Sequence, residues 1–138
     1  MSAEKFLTLL LRLKSVVLGS ALVAVLLPYG WMDAIHRWLQ LGPLPSEPVV
    51  GYMARSLSAL YASHGALALL TSFDVRRFLP FVKYQGWFGI LFGLVMFGID
   101  LAEGVPTWWT AIEAPWIVLT GSLLLWLANR VSASESQP

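Results

Sequence analysis

Four ionisable side chains lie inside stretches of the chain that are otherwise apolar: Arg55, His64, Asp100 and Glu113. Charged groups are costly in hydrocarbon, so they tend to face the interior of a helix bundle and to find partners there. Two carboxylates beside one guanidinium in a low-dielectric site disfavour joint ionisation, so one of the acids would keep or share a proton. These residue types therefore predict either a structural ion pair or a site for a proton or a ligand.

Three of these four residues are expected at the same depth in the membrane, judged by their positions along the predicted helices. If helices begin at about Val49 and at about Thr107, Arg55 and Glu113 each lie six residues inside them, which is roughly 9 Å at 1.5 Å per residue. Asp100 approaches the same level from the end of the helix between them. We expect Arg55, Asp100 and Glu113 to form a polar cluster near the outer leaflet, with Arg55 and Glu113 as partners.

Neither histidine indicates a cofactor. His64 is expected nearer the cytoplasmic end of its helix, hydrogen-bonded to a neighbouring helix, whereas His36 is expected near the outer interface. A haem held by both would need ligands from opposite halves of the membrane. The chain also lacks cysteine and the common nucleotide-binding, zinc-protease and serine-hydrolase motifs. We therefore predict no metal, no cofactor and no catalytic residue, and a non-catalytic role is favoured over an enzyme.

The helices that position these side chains are predicted from composition and apolar runs. Of the 138 residues, 57% are hydrophobic and 12% are charged, against roughly 45–50% and 25% in soluble domains. A spanning helix needs about 20 mostly apolar residues, and four such runs occur, at about 15–32, 49–73, 84–101 and 108–131. We predict an all-α fold, an integral membrane up-and-down four-helix bundle that forms one domain over 1–131, with a disordered tail at 132–138.

Basic residues set the expected orientation of the four spans. They precede the first span, separate the second from the third and close the fourth at Arg130, whereas the other two connections carry mainly acids. Because cytoplasmic loops are enriched in Lys and Arg, we expect a multi-pass protein of the bacterial cytoplasmic (inner) membrane with both termini in the cytoplasm. The net charge of +1 gives no basic field for nucleic acid, so membrane lipids are the expected partners.

The long connection between the first two spans predicts a short interfacial helix. Trp31, Ile35 and Trp38 recur at helical spacing on one face, which is typical of a helix lying in the plane of the interface. Such a helix is either a lid over the bundle or a simple connector. Trp108 and Trp109, at the start of the fourth span, are also expected at an interface because their rings are amphipathic.

A stripe of glycines on the third span predicts its packing face. Gly86, Gly89 and Gly93 share a face with Asp100, and small residues at such spacing let helix backbones approach closely. The neighbour on this face is expected to be another helix of the chain or a partner. The sequence is therefore compatible with a homo-oligomer and with a larger membrane complex.

One segment of the second span supports a resemblance to a known group. The residues ARSLSALYASHGALALLTSFDVRRF, at 54–78, together with four short spans and both ends inside, resemble the small bacterial four-helix membrane proteins of the DoxX-like type. The resemblance covers the topology of most of the chain and implies no functional residue. Some members of that group are linked to membrane redox assemblies.

Three functions are compatible with these features. The favoured one is a non-catalytic accessory or assembly subunit, for which the glycine stripe would be the packing surface, either internally or with a partner. The second is a small proton-coupled transporter or carrier that uses Arg55, Asp100 and Glu113. The third is a quinone- or lipid-handling membrane enzyme that works beneath the interfacial helix.

Overall fold

The computed structural model describes residues 2–135, and their side chains up to residue 133. Over these residues the chain is all-α, as predicted, with six helices and no strand: α1 Ala3–Gly19, α2 Leu22–Leu26, α3 Tyr29–Trp38, α4 Pro48–Phe73, α5 Leu79–Glu103 and α6 Thr107–Glu135. Helix α6 therefore includes the first part of the predicted tail. The rest of that prediction, at 136–138, lies outside the described residues.

Three segments of the described chain are long enough and apolar enough to cross a membrane. They are Ala3–Leu26, which contains α1 and α2, Leu79–Glu103 and Thr107–Ala133, with 24, 25 and 27 residues. About 20 residues suffice for a hydrocarbon core of about 30 Å, because a helix rises 1.5 Å per residue. The chain therefore has the helices of a membrane protein, as its composition predicts.

Helix α4 covers the predicted second span, 49–73, but it is not among these three segments. Its 26 residues are long enough, so its composition makes the difference. Arg55, His64 and several hydroxyl-bearing residues interrupt its apolar sequence. The structure confirms the helices and contains three segments that could cross a membrane, and the crossing of the membrane by α4 stays a prediction.

The first apolar segment lies nearer the N-terminus than the predicted span 15–32. Leu27 is extended, with φ −64° and ψ 135°, and Pro28 follows with φ −58° and ψ 146°. A proline fixes its own φ and disfavours a helical residue before it, so α2 ends there and α3 takes a separate path. Helix α1 begins well before the predicted span, so Arg12 and Lys14 lie inside the apolar segment rather than ahead of it.

The chain divides into two compact units. The first unit combines the residues up to Leu11 with the chain from Thr71 onward. The second unit comprises Arg12–Leu70, and within it α4 lies directly against α1. At Gly65, a Cβ atom would stand only 3.0 Å from the carbonyl oxygen of Ser15, so this crossing requires a residue without a side chain.

Within the first unit, α5 and α6 form an antiparallel helical hairpin. Gly104 ends α5 with φ 64°, a left-handed conformation that glycine adopts without steric cost. Its amide donates to the carbonyl oxygen of Asp100 at 3.1 Å. The connection, 104–106, is only three residues long, so the end of α5 lies beside the start of α6.

Candidate functional site

Asp100 is the one buried acid among the described residues. Its side chain lies on the last turn of α5 and is 4% exposed. Its Oδ2 atom has no hydrogen-bond partner within the described part of the chain. The large majority of buried polar atoms in proteins are paired, because an unpaired one retains its full cost of desolvation. Asp100 is therefore a candidate for a functional group.

The glycine stripe explains why Asp100 is enclosed. A Cβ atom at Gly93 would lie 2.7 Å from Val118 Cγ2, and one at Gly86 would lie 3.0 Å from the carbonyl oxygen of Gly121. Helices α5 and α6 thus meet backbone to backbone along the face that also carries Asp100. The predicted packing face at Gly86, Gly89 and Gly93 is occupied by α6 of the same chain.

The antiparallel register places the first turns of α6 opposite Asp100. Gly93 contacts Ala114 and Val118, so Asp100, two turns nearer the connection, faces the region of Thr110. Both Thr110 and Ala114 are buried, at 8% and 2% exposure. The face of α6 along this contact is therefore buried, and it includes Thr110, a hydroxyl-bearing residue.

Glu113 differs from Asp100 in having a local hydrogen-bond donor. The indole Nε1–H of Trp109, one turn earlier on α6, donates to Glu113 Oε2, and the side chain is half-buried. Asp100 and Glu113 are close enough to interact electrostatically. Two carboxyl groups thus share one end of the hairpin, and Trp109 stacks edge-to-face with Trp108 at 5.5 Å.

Arg55 has its partners within the second unit. Its Nε atom donates to the carbonyl oxygen of Val25 at 3.2 Å and its Nη2 atom to that of Leu27 at 3.1 Å. The last carbonyls of a helix have no partner within it, and a cation is favourable at that end. Arg55 therefore closes the end of α2. Its predicted pairing with Glu113, which belongs to the other unit, stays a prediction.

Lys14 is a residue of interest that the sequence alone did not indicate. It lies inside the apolar segment Ala3–Leu26 and interacts electrostatically with His64 on α4, beside the close crossing at Gly65. The signal that could have found it is Pro28. Counting about 20 residues back from that break places Lys14 within the span.

The remaining predicted site residues lie at the surface or line no polar site. Trp31 and Trp38 are 66% and 80% exposed, and Trp108 is 37% exposed. Within the described residues no group of three His, Cys, Asp or Glu side chains could hold a metal ion. An apolar groove of about 380 Å³ runs along α5 and α6 and is lined by Gly93, Leu94, Phe97, Ala114, Pro115, Val118, Leu119 and Ser122. It contains no ionisable group.

Comparison with known proteins gives no relative: a scan against protein-family models finds no match, and neither curated proteins nor solved structures match the chain. The resemblance to DoxX-like proteins thus stays a prediction. Function has to be argued from the residues themselves.

Proposed function

We propose that this chain is a small proton-coupled carrier of the bacterial cytoplasmic membrane, in which Asp100 takes up and releases the proton. In this proposal four spans, including α4, cross the membrane and both termini are cytoplasmic, as the distribution of Lys and Arg predicts. The observation that carries the proposal is the buried Oδ2 atom of Asp100, which has no partner among the described residues.

The chemistry follows from the surroundings of the carboxyl group. An ionised carboxylate without a donor is costly in an apolar contact, and a bound proton removes that charge. Glu113 shares this end of the hairpin and interacts electrostatically with Asp100, and like charges in a low-dielectric site disfavour joint ionisation. The pair can thus hold one proton between them, with Trp109 donating to Glu113.

Release of the proton provides a route to coupling. A charged Asp100 needs water or a donor, and the close contact of α5 and α6, which begins two turns away at Gly93, limits access from that side. Proton release therefore favours a wider hairpin at this end, and proton uptake favours the closed contact. Such a two-state element is what a carrier requires.

The accessory-subunit hypothesis has less support from the described residues. Its expected packing surface, the stripe at Gly86, Gly89 and Gly93, lies against α6 of the same chain. An assembly role would have to use another surface. The third hypothesis, a quinone- or lipid-handling enzyme beneath α3, gains no support from the groove along α5 and α6, where Ser122 is the one polar side chain among the lining residues.

Infrared spectroscopy of the protein in lipid nanodiscs tests the proposal. At neutral pH the wild type should show the carbonyl stretch of a protonated carboxyl group, and the band should shift in D2O because the proton exchanges with solvent. Asp100→Asn should remove the band. Glu103→Gln, which changes an exposed acid one turn further along α5, should keep it.

Three outcomes would contradict the proposal. Absence of the band in the wild type would mean that no proton is held. A band that does not shift in D2O over hours would make the proton structural. A band that Glu113→Gln removes and Asp100→Asn keeps would place the proton on the other acid.

A further inference from the structure

The polar face of α3 is occupied by the loop that follows it. The Leu44 amide donates to Asp33 Oδ1 at 2.7 Å, and the Tyr29 hydroxyl donates to the Leu44 carbonyl oxygen. His36 Nδ1 lies 2.9 Å from the carbonyl oxygen of Gly42. Because a carbonyl oxygen can only accept, Nδ1 carries the hydrogen. Three side chains of α3 therefore fasten the loop, and we name α3 with residues 39–47 the clip.

The opposite face of α3 is apolar and uncovered within the second unit. Trp31, Ile35 and Trp38 are 66%, 45% and 80% exposed. At about 100° per residue these three positions share one side of the helix, roughly opposite Tyr29, Asp33 and His36. The helix is thus amphipathic, and its polar side is already satisfied by the chain itself.

The clip is fixed at its base. Arg55 on α4 donates to the carbonyl oxygens of Val25 and Leu27, immediately before Pro28 begins the turn into α3. On the polar face Asp33 also accepts from Arg37 Nε at 2.9 Å. The apolar face is therefore exposed on a helix that hydrogen bonds hold in place, and not on a frayed end.

We propose that the apolar face of the clip, formed by Trp31, Ile35 and Trp38, docks on the lipid bilayer at the boundary between head groups and acyl chains. The apolar segment Ala3–Leu26 ends only two residues before α3 begins, so α3 starts where the chain leaves the hydrocarbon. Tryptophan rings suit this boundary because they combine an apolar body with one N–H donor.

The internal pairing of charges supports lipid over other occupants. Asp33 and Arg37 neutralise each other on the far side of α3, so α3 itself needs no charged partner. Two large indole rings do not provide the small residues that let membrane helices pack closely. Burial of an apolar helix face in the interface is the ordinary mode of such a helix.

Site-directed spin labelling tests the proposal directly, because the chain has no cysteine. Ile35→Cys places a label on the apolar face, and Ala34→Cys provides a second, conservative position beside it. Ser46→Cys, on the exposed loop of the clip, is the matched control. Labelled proteins in nanodiscs are compared for collision with oxygen, which concentrates in lipid, and with a nickel chelate, which stays in water.

Labels at residues 35 and 34 should collide with oxygen several-fold more, relative to the nickel chelate, than the label at residue 46. Equal ratios at the three positions would place the face in water and overturn the proposal. A label at residue 35 that is shielded from both reagents, with dipolar broadening between labels, would show a second copy on this face and overturn it equally.

Discussion

Arg55 and Asp100 are both ionisable side chains within long helices of an apolar chain, and their local surroundings differ. The guanidinium of Arg55 donates to two carbonyl oxygens at the end of α2. The carboxyl group of Asp100 is more deeply buried, and one of its oxygens has no partner within the described residues. Arg55 is thus explained by its partners, because it completes a helix end. The described residues offer no such partner to Oδ2 of Asp100.

The largest effect is expected where the enclosure of Asp100 is broken. Gly93→Leu would place a side chain against Val118 and Ala114, whose atoms lie within 3.1 Å of a Cβ at that position, and overpacking of this kind costs about 3 kcal/mol. Thermal unfolding in detergent measures it. Gly98→Leu is the control, because a Cβ there has no neighbour within 4 Å. Equal loss of stability in both variants would contradict the packing described.

The next effect concerns the structural role of Arg55. Arg55→Met removes two hydrogen bonds from a charged donor, so we expect a loss of about 2–3 kcal/mol in the free energy of unfolding. Arg37→Met, which breaks an exposed ion pair, should cost under about 1 kcal/mol. A loss from Arg55→Met no larger than this would mean that the carbonyl contacts contribute little.

A double variant decides whether Arg55 also serves Glu113. Contacts between two residues show as non-additive changes in stability. The sequence-based pairing predicts that the double variant, Arg55→Met with Glu113→Gln, loses less unfolding free energy than the two single variants lose in sum. If the two losses of stability are additive, Arg55 does not contact Glu113, and its role is limited to the end of α2.

Asp100→Asn should change stability far less than Arg55→Met. The amide keeps the shape of the side chain and is uncharged, as is the protonated carboxyl group that we propose, so we expect a change of less than about 1 kcal/mol in the free energy of unfolding. Denaturation in the same detergent at neutral pH measures it. A clear destabilisation would show that Asp100 has a structural partner, as Arg55 does.

The smallest effect is expected on the clip when the pH is lowered. The amide of Leu44 and the guanidinium of Arg37 hold the pKa of Asp33 below its usual value, so the ionised form stabilises the fold. This contribution is complete above the unfolded pKa of about 3.9 and is lost as pH falls through the lower folded value. A spin label at Ser46→Cys should gain mobility only in that acid range. Asp33→Asn should abolish the transition, and a transition that persists in that variant would assign it elsewhere.

The sequence predicted the helices better than it predicted their ends. The third and fourth spans, 84–101 and 108–131, fall within α5 and α6 because their apolar runs are long and bounded by turn residues. The predicted first span, 15–32, begins later in the chain than the apolar segment Ala3–Leu26. Arg12 and Lys14 resemble flanking charges in the sequence, but α1 continues through them.

The candidate site was predictable in part. The shared face of Asp100 and the glycines follows from helical periodicity, and that face lies against α6. The partners of Arg55 could not be predicted from the sequence. They are backbone carbonyl groups 28 and 30 residues earlier in the chain, and no side-chain type marks such partners. The bond from Trp109 to Glu113 spans one turn, and the i, i+4 spacing in the sequence was sufficient to suggest it.

The three-residue connection at Gly104 also bears on how the protein is made. Two apolar helices joined so closely leave the ribosome in immediate succession, and they can enter the bilayer as one hairpin. Only the short turn, with Glu103 beside it, then has to reach the far side. Because the glycine contact forms between neighbours in the chain, α6 is available to cover Asp100 as soon as these two helices have been made.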